Sequence, residues 1–214
     1  MKNKAYWISQ PRSFDKHYFC PNNLNLLSKF LHLRMSTVLS LTNPAHNKSL
    51  LDVGCGSGLY LAAAIPKFKK VVGMDISEAM LYGARQRLSA VAKNRYKLYL
   101  GDAEKKFPFK PDSFDVVISI GLLDYLNPKT VLLECKRVLS KDGFIIFTIP
   151  KKPSMFFFLR GTCGNFIRKK LLGLPPLENI VGKKSLYCLI NECGLETLQI
   201  KSVWTTMWVV KAKK

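Results

Sequence analysis

Three carboxylates stand where apolar runs end, and a glycine loop follows the first of them. Leu50-Leu51-Asp52-Val53 runs into Gly54-Cys55-Gly56-Ser57-Gly58, which reads as a short strand, an acidic residue and a loop that opens a helix at Leu59. Glycine has no Cβ, so such a loop turns sharply and its backbone approaches a ligand closely. At a helix N-terminus, free N–H groups and the positive end of the helix dipole also face the ligand. A nucleotide-like molecule suits that chemistry, and the spacing narrows the choice. A dinucleotide fold carries G-x-G-x-x-G around a pyrophosphate; here the pattern is G-x-G-x-G. The second run, Val71-Val72-Gly73-Met74, ends at Asp75. A carboxylate there can accept hydrogen bonds from both vicinal hydroxyls of a ribose. The third, Tyr96–Leu100, ends at Gly101-Asp102-Ala103, where a carboxylate can face an adenine amino group. Three acidic strand ends around one glycine loop are far more specific than the loop alone.

The chain resembles the class I S-adenosylmethionine-dependent methyltransferases, of the small-molecule, type 11-like kind. The resemblance runs from about Leu50 to Pro150 and more weakly to the C-terminus. It rests on LDVGCGSG at 51–58, GMDIS at 73–77, GDAEKKFPF at 101–109, FDVVIS at 114–119 and RVLSKDGFIIFTIP at 137–150. It implies S-adenosylmethionine as cofactor and a small-molecule substrate. It also implies roles for matching positions. Gly54, Cys55, Gly56 and Gly58 give the cofactor's amino-acid and ribose portions close backbone contact. Asp52 lies near its ammonium group, and Asp75 binds the ribose hydroxyls. Ile76 packs on the adenine, and Asp102 and Ala103 meet its edge. Ser119 and Ile120 line the methionine side. Asp102 also reads as a plain turn residue.

Methyl transfer from a sulfonium needs mainly an aligned nucleophile and exclusion of water, so it leaves little catalytic signature. Relatives often carry a histidine after the fourth strand. This chain has Gly121-Leu122-Leu123-Asp124-Tyr125-Leu126 there, which makes Asp124 and Tyr125 candidates for base or substrate contact. His17 is the third candidate, within residues 1–20, where Tyr6, Trp7, Phe14, Tyr18 and Phe19 cluster. By resemblance, that segment is a lid over cofactor and substrate. Each has a plainer reading: Asp124 caps the next helix, Tyr125 is core, and the aromatics pack the N-terminus onto the domain. His32 and His46 look peripheral.

The elements that position these residues follow from periodicity. Apolar residues recur at three- and four-residue steps from Asn22 to Leu41, a helix whose polar face carries Lys29, His32 and Arg34 and is expected to meet water. Strands are expected at 49–53, 70–75, 96–100, 114–120 and 143–149. Helices are expected at about 58–66, from Ser77 to about 92, at 128–139 and at 183–193. Strand–helix alternation means a parallel sheet. Leu195–Ser202 and Thr206–Ala212 close the chain as a hairpin through Val203-Trp204-Thr205. The fold class is therefore α/β: a Rossmann-like seven-stranded sheet, mostly parallel, with an antiparallel C-terminal strand and helices on both faces. Within one domain, 1–48 is lid and helix, 49–150 the cofactor-binding core, 151–182 a substrate-side insertion, and 183–214 the closing elements.

The composition bounds partners. The chain has 214 residues, 48% of them hydrophobic, which suits a globular domain with a substantial core. Lys and Arg number 34 against 14 Asp and Glu, a net charge of +20. Such charge attracts an anionic partner, or it reflects a lysine-rich composition. The six cysteines show no C-x-x-C, so no metal site is expected and the thiols read as reduced in a cytosolic protein. No secretory h-region follows Met1–Arg12, and no apolar run reaches the ~20 residues of a bilayer span.

Nucleic acid is disfavoured as substrate, because the fourth strand lacks the Asn/Asp-Pro-Pro-Tyr/Phe motif of base-amine methylation. Phe156-Phe157-Phe158 beside Arg160, Arg168, Lys169 and Lys170 suits an amphiphilic acceptor or peripheral contact with an anionic membrane. The same phenylalanines also read as core of the insertion. The expected acceptor is small and hydrophobic, such as a quinone precursor, isoprenoid or lipid-linked intermediate. Two other classes stand beside this one: a non-catalytic cofactor-binding scaffold or activating subunit, and a nicotinamide oxidoreductase. The glycine spacing and Asp102 argue against the latter.

Overall fold

Seven strands form one sheet in the order β3-β2-β1-β4-β5-β7-β6. A computed structural model describes residues 6–8, 26–43, 46–91, 94–152 and 177–214. The strands are β1 (Ser49–Val53), β2 (Lys70–Asp75), β3 (Tyr96–Leu100), β4 (Phe114–Ser119), β5 (Leu139–Pro150), β6 (Glu196–Val203) and β7 (Met207–Lys213). β1 to β5 pair in parallel, and β7 runs antiparallel to both of its neighbours, as the hairpin pattern implies. Strand order reverses at β1, which lies between β2 and β4. That is the switch point where open α/β sheets form their ligand crevice.

Alternation along the strands sends side chains to two cores. Leu51, Val53, Val117 and Ile145 pack beneath α4 (Pro128–Val138) and α5 (Lys183–Glu192) through Val131, Leu132, Leu186 and Ile190. Leu50, Val116, Ile118 and Ile146 pack beneath α1 (Leu26–Leu41), α2 (Leu59–Ala64) and α3 (Glu78–Arg87) through Val38, Leu61 and Leu81. Asp52 has the parity of Leu50, so its carboxylate faces the α1–α2 side.

Local sequence sets the helix ends. The Ser77 side chain accepts from the Met80 N–H at the start of α3, with Glu78 favourable to the dipole. Asn127 caps α4 by accepting from the Thr130 N–H, with Pro128 in the first turn. The cap is therefore Asn127 and not Asp124, which lies in the loop before it. α3 stops at Arg87, short of the expected 92, where the Ser89 and Val91 N–H groups turn back onto Gln86 and Leu88 carbonyls. β5 begins at Leu139, ahead of the expected 143: Leu139 pairs with Phe114, and the ladder resumes at Phe144 across an irregularity.

α1 is fastened to the sheet by a buried lysine. Lys211 Nζ donates to the Leu41 carbonyl at 2.9 Å and lies 3.9 Å from the Phe144 ring centroid. At the other end of α1, Phe30 meets Trp204 of the β6–β7 turn at 5.4 Å. No described helix is long and apolar enough to cross a membrane.

Candidate functional site

The glycine loop is bound to the tip of β2 by backbone donors. The Gly54 and Cys55 N–H groups donate to the Met74 carbonyl at 2.8 and 3.1 Å. The Gly56 N–H donates to Asp75 Oδ2 at 2.8 Å, and the Ser77 N–H to Asp75 Oδ1 at 2.9 Å. Asp75 thus splints the loop to the start of α3. Each of its oxygens keeps a second lone pair for a further donor, such as a ribose hydroxyl. Burial pushes its carboxyl up, and the Ser77, Gly56 and Ile76 N–H groups pull it down.

The three loop glycines all adopt positive φ but serve different ends. A Cβ on Gly54 would strike Leu122, and one on Gly58 would press on Ala84, so these two permit close packing. A Cβ on Gly56 would meet nothing within 4 Å. The open cradle of the loop is therefore above Gly56. Cys55 turns its buried thiol inward, where a Cβ on Gly73 would come within 2.8 Å of Sγ. Only its main chain faces the loop's open side.

The third acidic strand end is where the sequence puts it. The Gly101 N–H donates to the Asp75 carbonyl at 2.9 Å, which sets Asp102 beside the β2 tip. Asp102 Oδ1 accepts from the Glu104 N–H at 2.9 Å, so Asp102 also organises its own turn. Ala103 is buried beneath it, and Ile76 is half-buried.

Asp52 is the electrostatic centre. It is 1% exposed, its Oδ2 has no hydrogen-bond partner, and burial together with the Asp75 charge raises its pKa to about 8. On the same side lie Tyr60 of α2 and Arg34 of α1. Burial pushes the Tyr60 hydroxyl up, opposed by the adjacent Arg34 guanidinium, and the Asp52 charge reaches it too. The Tyr60 hydroxyl and the Arg34 guanidinium engage each other, and Arg34 Nε is buried without a hydrogen-bond partner. Arg34 Nη1 would lie 3.3 Å from a Cβ on Gly121, at the exit of β4. The polar face of α1 was expected to meet water; Arg34 instead turns inward between the glycine-loop helix and the end of β4. Sequence periodicity gave it a face but no partner.

Buried polar atoms of native proteins are nearly always paired. An orphaned carboxylate oxygen and guanidinium nitrogen on the glycine-loop side of the sheet therefore fit a ligand that carries both an ammonium and a carboxylate. The amino-acid end of S-adenosylmethionine has both. Asp52 would face its ammonium, and Arg34 its carboxylate. Ser119, fully buried at the end of β4, is on the opposite side of the strand from Asp52 and Ile120, and its Oγ is likewise orphaned.

Beyond β4, the Gly121 N–H donates to Thr148 Oγ1 at 2.8 Å, and the loop closes with Tyr125 N–H on the Leu122 carbonyl at 3.1 Å. Asp124 and Tyr125 are both buried there. Trp7 of the N-terminal segment stands over Tyr125, ring centroids 5.2 Å apart and tilted 57°, with Tyr6 edge-on to Trp7 at 5.0 Å. His17 lies outside the described residues, as do residues 153–176 of the expected insertion.

Comparison with known proteins gives the family and the fold. The methyltransferase domain family model matches residues 51–147. A demethylmenaquinone methyltransferase of Bacillus mycoides is 30% identical over 169 residues, covering 71% of this chain and 71% of its own. A ubiquinone biosynthesis O-methyltransferase of Thiobacillus denitrificans is 29% identical, covering 73% of this chain and 68% of its own. A solved SAM-dependent methyltransferase from Aquifex aeolicus shares the fold, with a TM-score of 0.69 at 20% identity over 95% of this chain and 97% of that one. The chain belongs to the methyltransferase domain family and is a class I S-adenosylmethionine-dependent methyltransferase. That assignment displaces the nicotinamide oxidoreductase reading.

Proposed function

We propose that this enzyme methylates a small hydrophobic acceptor with an aromatic ring, of the quinol-precursor kind. The observation that carries this reading is the Trp7–Tyr125 pair beside the buried Asp124, at the exit of β4. Flat aromatic faces a few ångströms apart make a wall on which another ring stacks. The names of the two relatives, which concern menaquinone and ubiquinone, point the same way. The bound cofactor supplies an electrophilic methyl on its sulfonium. The chain's share is to align and to exclude water. In this reading Asp52, Arg34, Gly56 and Asp75 hold the cofactor, and Asp102, Ala103, Ile76, Ser119 and Ile120 complete its pocket. Trp7 and Tyr125 cover the acceptor, and Asp124 takes the acceptor's hydroxyl proton. His17 is a second proton acceptor to test.

The same reading includes peripheral contact with anionic lipid. Lys152, Lys183 and Lys184 are exposed near the stem of the 151–182 segment, with no ion-pair partner among the described residues. Ile180 and Trp204 are also exposed, at 45% and 41%. Exposed apolar side chains together with exposed lysines suit the interface of an acidic bilayer.

Two experiments test these proposals. Purified protein is given labelled S-adenosylmethionine and a panel of chemically reduced naphthoquinols and benzoquinols, with a nucleic-acid control, and products are read by mass spectrometry. Methylation of a quinol that is lost in Asp124→Asn supports the reading; turnover confined to the control would remove it. Co-sedimentation with phosphatidylglycerol vesicles at low salt tests the lipid contact, and absence of binding ends that part.

A further inference from the structure

The strap of residues 178–181 does more than join α5 to the chain before it. We propose that Asn179 is a positioning residue that sets the loop carrying Asp124 and Tyr125. Its side-chain amide donates to the Leu123 carbonyl at 2.8 Å and to the Leu126 carbonyl at 2.7 Å. The Glu178 N–H donates to the Asp124 carbonyl at 2.9 Å, and the Asn179 N–H approaches the same oxygen at 3.4 Å. Carbonyls on both sides of the Asp124–Tyr125 pair are thus gripped by two consecutive residues of one strap.

The strap itself is anchored from the other side. The Val181 N–H donates to the Pro150 carbonyl at 2.9 Å, and the Val181 carbonyl accepts from the Lys152 N–H at 2.9 Å and Trp208 Nε1 at 3.2 Å. It is laced to the ends of β5 and β7 before it reaches the loop. At its start the loop is held differently: Leu122 packs so closely under Gly54 that a Cβ there would come within 2.9 Å. One end of the loop is therefore set by the glycine loop on the cofactor side and the rest by Asn179.

The residue type follows from the geometry. A primary amide offers two N–H donors from one nitrogen, here aimed at two carbonyls. Aspartate has the same shape but points only acceptors at those carbonyls, so it leaves both unpaired and repels them. Alanine leaves them unpaired without the repulsion. A donor role predicts that Asp is at least as damaging as Ala. A packing role predicts that Asp stays close to the parent.

The inference rests on the acceptor-side role given above to Asp124 and Tyr125, so its main readout is independent of any acceptor. Tyr125 is replaced by 3-fluorotyrosine in the full chain, and its fluorine resonance is followed with S-adenosylhomocysteine bound. Asn179→Ala and Asn179→Asp are expected to shift and broaden that resonance, Asp at least as much as Ala, with cofactor affinity within about twofold of the parent. Turnover of a reduced naphthoquinol is expected to fall more than tenfold, mainly in kcat. A moved resonance with no turnover in any variant, parent included, would fault the acceptor reading and leave the clamp standing. An unmoved resonance, Asp behaving like the parent, or cofactor affinity falling in step with the resonance would overturn the clamp. If the variants fail to fold, hydrogen exchange of the parent decides. Asn179 side-chain N–H protons protected like the amides of β4 support it; exchange like that of a free side-chain amide refutes it.

Discussion

Cofactor binding should release a proton from Asp52. With burial and Asp75 raising its pKa to about 8, the carboxyl is mostly protonated at neutral pH in the cofactor-free protein. At pH 7 the ratio is about ten to one, so about 0.9 of the sites carry the proton. An ammonium group beside Asp52 favours the charged carboxylate and lowers its pKa. Between the two pKa values, binding and ionisation are one event. Affinity then rises with pH by up to tenfold per unit, about 1.4 kcal/mol, from about pH 6 towards 7.5. The window closes above that, where a free α-amino group itself deprotonates at about 7.7–8.0.

The assay is isothermal titration of S-adenosylmethionine at pH 7 in buffers of different ionisation enthalpy. The observed enthalpy should vary linearly with that of the buffer, with a slope corresponding to release of about 0.9 proton. Asp52→Asn should abolish the slope and weaken binding. No proton release by the parent, or the same release by Asp52→Asn, would refute the assignment of Asp52 to the ammonium. Stability supplies an independent sign. A carboxyl raised in the folded state binds more protons there than when unfolded, from about pH 4 to 8. The cofactor-free enzyme should therefore lose stability as pH rises through that window. Asp52→Asn should melt higher than the parent at pH 8.

Other perturbations separate cofactor contacts from scaffold. Arg34→Gln should weaken cofactor affinity about 10–100-fold, the range of a lost charged hydrogen bond, with a small change in melting temperature. Gly56→Ala places a Cβ in open space at φ +51°, so it should destabilise by about 1–2 kcal/mol and weaken cofactor binding more than tenfold, read by titration and urea melts. Gly58→Ala instead presses on Ala84 at 3.0 Å, and its loss should appear chiefly in the urea midpoint. Lys211→Met leaves the Leu41 carbonyl without its donor and should cost about 1–3 kcal/mol by urea melt.

The strand ends proposed to hold the cofactor were legible because their determinants are local. Each acidic residue stands at or just past the end of its own strand, and parallel register then brings the strand ends together: Val53 pairs with Met74, and Asp75 with Leu100. Arg34 was not legible, because helical periodicity reports which face a residue occupies and not what that face meets. Its neighbours, Tyr60 and Gly121, come from elements distant in the chain. The Asp124 carbonyl and its donors on Glu178 and Asn179 are hidden for the same reason. The early start of β5 was masked by Lys141-Asp142-Gly143, a turn signal that the structure absorbs as an irregularity in the ladder.

The two halves of the site also differ in what holds them. The cofactor side is built from backbone donors on strand tips: Gly56 and Ser77 on Asp75, Gly54 on Met74. Those bonds depend on the sheet and tolerate many side chains around them. The proposed acceptor side depends on particular side chains: the amide of Asn179, the ring of Trp7 and, from β5, the hydroxyl of Thr148. A substitution at Asn179 or Trp7 changes geometry without touching the sheet. On this proposal acceptor choice can vary on an unchanged cofactor site, and the names of the two relatives already concern different quinones at near-equal identity to this chain. Exchanging residues 121–126 and 177–181 together with those of a quinone-methylating relative should move acceptor preference while cofactor affinity stays within about threefold. Exchanging 121–126 alone should not, because the carbonyls that Asn179 grips would be presented to the wrong strap. Equal transfer of preference by the single exchange would show that the loop acts without its clamp.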